Sequence, residues 1–228
     1  MKIAISPEGN KYLFNKDELQ TSEGVILLKN VKNNKVQSSS GSVFTVVEAS
    51  VPDLFDRLKR GAQIITLKDA AYILGRAGVN KDSFVVDAGG GSGFLSCFLG
   101  LHAKKVVTYE LRKDFAKIVQ ANIDFLGLKN VEVKNKDAYL DMDEEGVDVM
   151  TLDLLEPWLV STDGLKVGGY LVAYCPTINQ VVKVKMLEGF VIEEVCEIIK
   201  RDWREDKIQR PKSKMIAHTG FLVFMRKL

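Results

Sequence analysis

Apolar and polar positions along the 228-residue chain change period as the sequence is followed from one end to the other. Over the first fifty residues the apolar stretches are short: Lys11-Tyr12-Leu13-Phe14, Gly24-Val25-Ile26-Leu27-Leu28 and Val43-Phe44-Thr45-Val46-Val47, punctuated by Asn33-Asn34. Such runs between turn formers predict a small β unit, with Ser38-Ser39-Ser40-Gly41 as a loop inside it. From Asp53 to Leu74 the spacing of Leu54, Phe55, Leu58, Ile64, Ile65, Ala70, Ile73 and Leu74 is helical. After that, strands and helices alternate. The pattern predicts strands at 83–88, 105–110, 130–135, 147–153 and 169–175, helices at 93–101, 112–126, 157–164 and 177–188, and two late strands near 190–200 and 215–226. Alternation of this kind implies an α/β domain with a mostly parallel sheet covered by helices, and ligands then bind beyond the carboxyl ends of the strands. The expected division is a β domain over 1–50 and an α/β domain over 51–228. No internal repeat is present.

The richest segment is Asp87-Ala88-Gly89-Gly90-Gly91-Ser92-Gly93-Phe94-Leu95, which follows the apolar run Phe84-Val85-Val86. A strand ending at Asp87 must turn sharply into a helix. Residues without side chains at Gly89, Gly91 and Gly93 let backbone amides come close to a ligand. The next apolar run, Val106-Val107-Thr108-Tyr109, ends in Glu110, 21 residues past Gly89. That is close to the ~20-residue offset at which a carboxylate reaches ribose hydroxyls. Turn, strand, helix and acid together predict a nucleotide-type cofactor site; a plain surface turn leaves the Glu110 spacing to chance.

Two further acids, Asp137 and Asp153, also fall at or just after predicted strand ends. Asp137 suits either the amino group of an adenine or the capping of its own loop. Asp153 stands in Thr151-Leu152-Asp153-Leu154-Leu155-Glu156-Pro157-Trp158, where an acid near a cofactor's reactive carbon can hold an amine nucleophile. Downstream, Gly168-Gly169-Tyr170-Leu171-Val172-Ala173-Tyr174-Cys175-Pro176 ends a strand in an aromatic and a proline. Tyr174 reads either as the stacking wall of a base pocket or as a core tyrosine.

Composition narrows the possibilities. No apolar run nears the ~18 residues of a membrane span, and Met1 to Tyr12 lacks the apolar segment of a signal peptide, so a cytoplasmic protein with no membrane contact is expected. Cys97, Cys175 and Cys196 have neither metal-type spacing nor an even disulfide count, and with only His102 and His218 besides, no metal site is expected. Net charge is +2, yet Lys200 to Leu228 holds nine Lys and Arg against three Asp and Glu. That basic tail is either a phosphate-binding face or a solvated edge. The G-x-S-x-G elbow, the Gly-Lys-Ser/Thr phosphate loop and H-E-x-x-H are all missing, which removes hydrolase, P-loop and zinc-peptidase readings.

Several blocks resemble the tRNA (adenine-N1)-methyltransferase family of class I S-adenosylmethionine-dependent enzymes, over nearly the whole chain. Arg60-Gly61-Ala62-Gln63-Ile64-Ile65-Thr66-Leu67-Lys68-Asp69 is similar to R-G-x-Q-I-I-x-P-K-D. Tyr109 to Ala116 with Ala121-Asn122, Asp153 to Trp158, and Tyr174 with Pro176 and Gln180 resemble three later blocks. Arg210-Pro211 and His218-Thr219-Gly220-Phe221-Leu222 resemble R-P…H-T-G-F-L, which generic methyltransferases lack. Thr66 and Leu67 stand where the family has an aromatic (or His) and Pro, Leu155 stands in place of Pro, and the N-terminal β region is shortened, with Gln20-Thr21-Ser22-Glu23-Gly24 where an H-T-H-x-G-like stretch is usual.

The resemblance implies a class I methyltransferase fold, a Rossmann-like seven-strand sheet with a small N-terminal β domain, a homotetramer, and methylation of N1 of a T-loop adenine in tRNA at position 58, sometimes also 57. Carried over by position, Gln63 and the turn with Asp87, Gly89, Gly91, Ser92, Gly93 and Leu95 hold the methionine part of S-adenosylmethionine. Glu110 takes its ribose and Asp137 its adenine. Asp153, shared between cofactor and base, and Tyr174 form the catalytic pair, and S-adenosylhomocysteine is the product. The alternatives are a non-catalytic tRNA-binding subunit and a methyltransferase of the same fold acting on protein or a small molecule.

Overall fold

The computed structural model describes residues 1–14, 16–61, 63–204 and 208–228. Ala62 of the lead-in block and Glu205, Asp206 and Lys207 of the basic tail lie outside the described residues. The chain forms two compact units, Met1–Leu58 and Lys59–Leu228.

The first unit contains strands β1 (Lys2–Ile5), β2 (Lys11–Phe14), β3 (Glu18–Thr21), β4 (Gly24–Leu27), β5 (Lys35–Gln37) and β6 (Val43–Glu48), followed by helix α1 (Val51–Phe55). An antiparallel sheet of order β2-β1-β6-β5 and the separate hairpin β3-β4 bury Ala4, Phe14, Ile26, Val36, Phe44 and Val46. The Asn33-Asn34 turn is real: both residues take the left-handed conformation, at φ 48° and 61°, that a tight hairpin demands. Contacts break after Leu58 rather than near residue 50 because α1 is tied back to the strands. Asp53 accepts hydrogen bonds from the Ser50 amide at 2.9 Å and from Lys11 Nζ at 2.7 Å.

In the second unit the elements are α2 (Leu67–Arg76), β7 (Phe84–Ala88), α3 (Phe94–Gly100), β8 (Lys105–Tyr109), α4 (Lys113–Leu126), β9 (Val131–Lys134), β10 (Val147–Leu152), β11 (Leu165–Cys175), α5 (Ile178–Val184), β12 (Phe190–Cys196) and β13 (Phe221–Lys227). They build one seven-stranded sheet of order β12-β13-β11-β10-β7-β8-β9, the mostly parallel α/β architecture expected of a Rossmann-like methyltransferase fold. Strands β9, β8, β7, β10 and β11 pair in parallel, and β13 runs antiparallel between β11 and β12. After β9 the chain returns to the other side of β7. The carboxyl ends of β7 and β10 therefore lie side by side at the point where strand order reverses, which is where open α/β sheets bind ligands.

Several predicted elements differ. The helical reading of 53–74 resolves into α1 and α2 with an irregular segment between, because side chains take over its backbone bonds: Asn122 Oδ1 accepts from the Lys59 amide, Asn122 Nδ2 donates to the Lys59 carbonyl, and Ser92 Oγ accepts from the Gly61 amide. The helix expected at 157–164 is only a short 3-10 turn, Pro157–Leu159. Ser161-Thr162-Asp163-Gly164 turns the chain instead, and at Gly164 a Cβ would lie 1.8 Å from the Glu144 carbonyl oxygen. The late strands stop at Cys196 and begin at Phe221, leaving most of the basic tail in the connection between them.

Lys11, and after it Ser50, holds the Asp53 carboxyl down at about 2. A carboxylate whose folded value lies below its unfolded one stabilises fully above pH ~4 and loses that contribution as pH falls toward 2. Asp53→Ala is expected to cost about 1–2 kcal/mol at neutral pH. Its melting temperature should converge on that of the wild type as the pH is lowered from 4 to 2, as read by circular dichroism.

Candidate functional site

The site starts from the register of three strands. Asp87 pairs with Thr108 on β8 and with Thr151 on β10, so all three side chains lie in one row. Thr108 Oγ1 donates to Asp87 Oδ2 at 2.8 Å and Thr151 Oγ1 donates to Asp87 Oδ1 at 2.7 Å. Burial, above all else, raises the Asp87 carboxyl from its ordinary range, while the two hydroxyls lower it. Asp87 is thus a structural anchor beneath the glycine turn.

Above it the turn is held by backbone bonds. The amides of Gly89 and Gly90 both donate to the Tyr109 carbonyl, at 3.0 and 2.8 Å. Gly89 has φ +96°, and a Cβ there would lie 2.1 Å from the Asp153 carbonyl oxygen. This close approach exists because the Asp153 amide donates to the Ala88 carbonyl, extending the β10 to β7 pairing by one residue. Gly93, at φ +74°, starts α3 and packs on Val119 of α4.

Glu110 is buried and aimed at the turn: Oε2 accepts from the Gly91 amide at 2.7 Å, and Oε1 accepts from the Arg112 amide at 2.8 Å and Nε at 3.2 Å. A carboxylate offers about four acceptor positions, so one stays open toward a ligand. Asp137 Oδ1 accepts from the Tyr139 amide at 2.9 Å, which makes it the cap of its own loop as well as a wall of the cleft.

The cleft these groups surround measures about 470 Å3 and is lined by Gln63, Gly89, Gly91, Glu110, Asp137 and Asp153, with Arg112, Tyr139 and Leu154 among the other walls. Its inner recess adds Asp87, Ser92 and Leu95. Ser92 is buried with Oγ on the Gly61 amide, so it holds the lead-in segment. A separate cavity of about 470 Å3 between Met142, Glu144, Ser161 and Lys166 contains none of these residues.

Asp153 is the acid that stands out. Burial, and after it the neighbouring Asp87, pushes its carboxyl up to about 7. Tyr174 is placed differently from a cleft wall: it is 6% exposed, its hydroxyl donates to the Thr219 carbonyl, and Gly220 lies against its ring. It lies in neither the cleft nor the recess lining. Desolvation, Asp69 and Asp153 together hold it neutral, with its phenol up at about 12.

Two residues of the matching blocks, Asn122 and Asp69, carry supporting roles that the sequence did not assign. Asn122 Nδ2 donates to the carbonyls of both Lys59 and Ser92, fastening α4 to the lead-in segment and to the turn. Asp69, fully buried, accepts from Thr66 Oγ1 at 2.9 Å, Lys68 Nζ at 2.7 Å and Thr219 Oγ1 at 3.0 Å. A polar residue at an apolar-face position, as at Asn122, and single threonines near the ends of apolar strands were the available signals.

Gly89→Ala is expected to reduce stability by about 2–4 kcal/mol, since a Cβ displaces either the turn or the Asp153 backbone. A denaturant titration measures this, and an undiminished midpoint would mean that the two backbones are not packed together.

The geometry has close counterparts. Residues 64–145 match the family model described as ribosomal RNA adenine dimethylase. The chain is 32% identical over 265 aligned positions to the tRNA (adenine(57)-N(1)/adenine(58)-N(1))-methyltransferase of Methanocaldococcus jannaschii, covering 99% of this chain and 94% of that protein. The tRNA (adenine(58)-N(1))-methyltransferase of Thermus thermophilus is 30% identical, with coverage of 84% and 80%. Among solved structures, the tRNA (m1A58) methyltransferase of Aquifex aeolicus superposes with a TM-score of 0.80 at 31% identity, covering 100% of this chain and 96% of that one. A SAM-dependent O-methyltransferase from Thermotoga maritima does so with a TM-score of 0.85 at 30% identity, covering 100% and 92%. Sheet order, glycine turn, strand-end acids and full-length likeness agree, and the chain belongs to the tRNA (adenine-N1)-methyltransferase family.

Proposed function

We propose that this protein transfers a methyl group from S-adenosylmethionine to N1 of an adenine in the T-loop of tRNA, at position 58 alone or at 57 and 58. The observation that carries the reading is Asp153: a carboxylate in a desolvated position on the wall of the cleft, one hydrogen bond from the strand that bears the glycine turn.

When bound, the cofactor supplies an electrophilic methyl group on a sulfonium. The chain supplies the cradle. Gln63 and the side-chain-free turn would hold the methionine part, Glu110 would offer its remaining acceptor to the ribose hydroxyls, and Asp137 would take the adenine. The fit is chemical: Glu110, Asp137 and Asp153 on the cleft walls are acceptors, and the hydroxyls and exocyclic amine of a nucleoside are donors.

Ionised Asp153 accepts a hydrogen bond from the exocyclic amine of the target adenine. That bond orients N1, whose ring lone pair is available without prior loss of a proton, and stabilises the positive charge that develops on the base. Because N1 lies on the pairing edge, the base must leave its stack, at a cost of a few kcal/mol. Tyr174, through the Thr219 carbonyl, fixes the strand end beside Asp153 as a positioning residue. Arg201, Arg204, Arg210, Lys212 and Lys214, all exposed between β12 and β13, supply phosphate contacts and a salt-dependent affinity. The proposal extends to a homotetramer, as the family resemblance implies, and to the cytoplasm, as the composition suggests. A non-catalytic tRNA-binding subunit has no use for an intact turn, Glu110 and Asp153 together, and a protein or small-molecule substrate leaves the basic connection without a role.

Asp153→Ala is expected to bind S-adenosylmethionine in calorimetry yet lose about 100-fold or more in methylation of a T-loop adenine. With the Asp153 carboxyl near 7, wild-type turnover should rise about tenfold per unit up to pH 7 and then level. The stability sign is the reverse. The folded value exceeds the unfolded one, so the folded state holds the extra proton between pH ~4 and 7, and stability from this group declines over that range. Asp153→Asn should remove the pH–rate limb and raise the melting temperature at pH 8; a melting temperature at pH 8 no higher than that of the wild type would exclude the desolvated carboxylate.

A further inference from the structure

Beside the cofactor cleft, and sharing Leu155 with it, lies a groove of about 440 Å3. Its floor is built from groups already committed. Thr177 caps α5 and accepts from the Gln180 amide, while Gln180 Oε1 accepts from the Thr177 amide at 3.1 Å and Nε2 donates to the Leu154 and Leu155 carbonyls, at 3.4 and 3.0 Å. These bonds fasten the loop after Asp153 to the start of α5, so the groove and Asp153 move as one piece.

The walls carry a different chemistry. Leu155, 80% exposed, faces the groove together with Pro176 and Trp158. Asn179 is exposed and makes no side-chain hydrogen bond among the described residues. Lys183 places its ammonium 4.3 Å from the centroid of the Trp158 ring and makes no ion pair among the described residues. Its donors therefore remain available to an anion.

An apolar slot edged by an indole, with one amide free of side-chain hydrogen bonds and one ammonium held at the indole without an ion pair among the described residues, has the composition of a nucleotide subsite: a surface for a base, a group that reads a base edge and a charge for a phosphate. A small apolar metabolite has no need of Lys183, and a helix docking across α5 leaves Asn179 unused. The groove and the cleft share Leu155, which lies two residues from Asp153.

We propose that this groove holds the nucleotide adjacent to the target adenine in the RNA strand, its ring packed on Leu155 and Trp158, its base edge on the Asn179 amide and its phosphate on Lys183. The inference rests on Asp153 as the group that presents the adenine, and it assigns the sequence context of methylation to the loop after β10 and the start of α5. Glu156, on the same rim, adds an acceptor that favours a flanking base with an exocyclic amine.

The test compares wild type, Lys183→Ala and Asn179→Ala on synthetic T-loop hairpins that carry each of the four bases on either side of the target, with cofactor affinity followed by calorimetry. Lys183→Ala is expected to raise KM for the hairpin about tenfold with kcat little changed, and to reduce the log–log salt slope by about one. Asn179→Ala should erase the preference among flanking bases. Cofactor affinity and melting temperature should stay those of the wild type in both. Unaltered KM and unaltered preference, in a protein whose wild type methylates the hairpin, would overturn the groove and leave Asp153 in its role. Weakened cofactor binding or a lowered melting temperature would make the groove structural and overturn it as well. A wild type that methylates none of the hairpins would remove the reading on which it rests.

Discussion

The buried carboxylate of Asp87, shared between a threonine on each neighbouring strand, is the interaction on which the rest of this site depends. A charge or near-charge in that position is costly without partners. The two hydroxyls offset the cost only if β8, β7 and β10 keep the register that places Thr108 and Thr151 level with Asp87. With that register fixed, Glu110 and Asp153 emerge beyond the strand ends on either side of the glycine turn. The same burial that demands the hydroxyls also acts on Asp153, whose carboxyl is raised by desolvation and by the nearby Asp87.

A second layer of polar contacts connects parts of the chain far apart in sequence. Lys68 Nζ donates to both Asp69 Oδ1 and Thr219 Oγ1, at 2.7 Å each, and Thr219 Oγ1 passes the chain of bonds on to Asp69 Oδ2. The Thr219 carbonyl meanwhile receives the Tyr174 hydroxyl, and His218 lies against the Pro176 carbonyl and Glu197. The terminal block therefore acts by packing: it secures the ends of β11 and α2 around the cleft. Thr66 fits this arrangement, since its hydroxyl donates to Asp69.

Leu155 gives the counterpart on the substrate side. Its carbonyl is held by Gln180 while its side chain projects into solvent between the cleft and the adjoining groove. A loop pinned by its backbone and free at its side chain presents a firm apolar contact. The aromatic edge of Trp158 and the ammonium of Lys183 extend that surface away from Asp153.

Much of this was legible in the residues alone. Strand and helix alternation determined a mostly parallel sheet, because the period of apolar positions reports which faces are buried, and the glycine turn with Glu110 at its characteristic offset determined where a nucleotide-like ligand sits. The 157–164 segment was misread because its apolar residues suggested a helix while Ser161-Thr162-Asp163-Gly164 already encoded a turn. Only the tertiary structure decided that Tyr174 lies behind the cleft, that Asn122 and Asp69 support it from residues remote in sequence, and that Asp153 lies close enough to Asp87 to share its desolvation. Sequence spacing carries information about local conformation and one face of one element; which side chains meet across elements, and how far water is excluded between them, follows from register and packing, and those are set only when the sheet has closed.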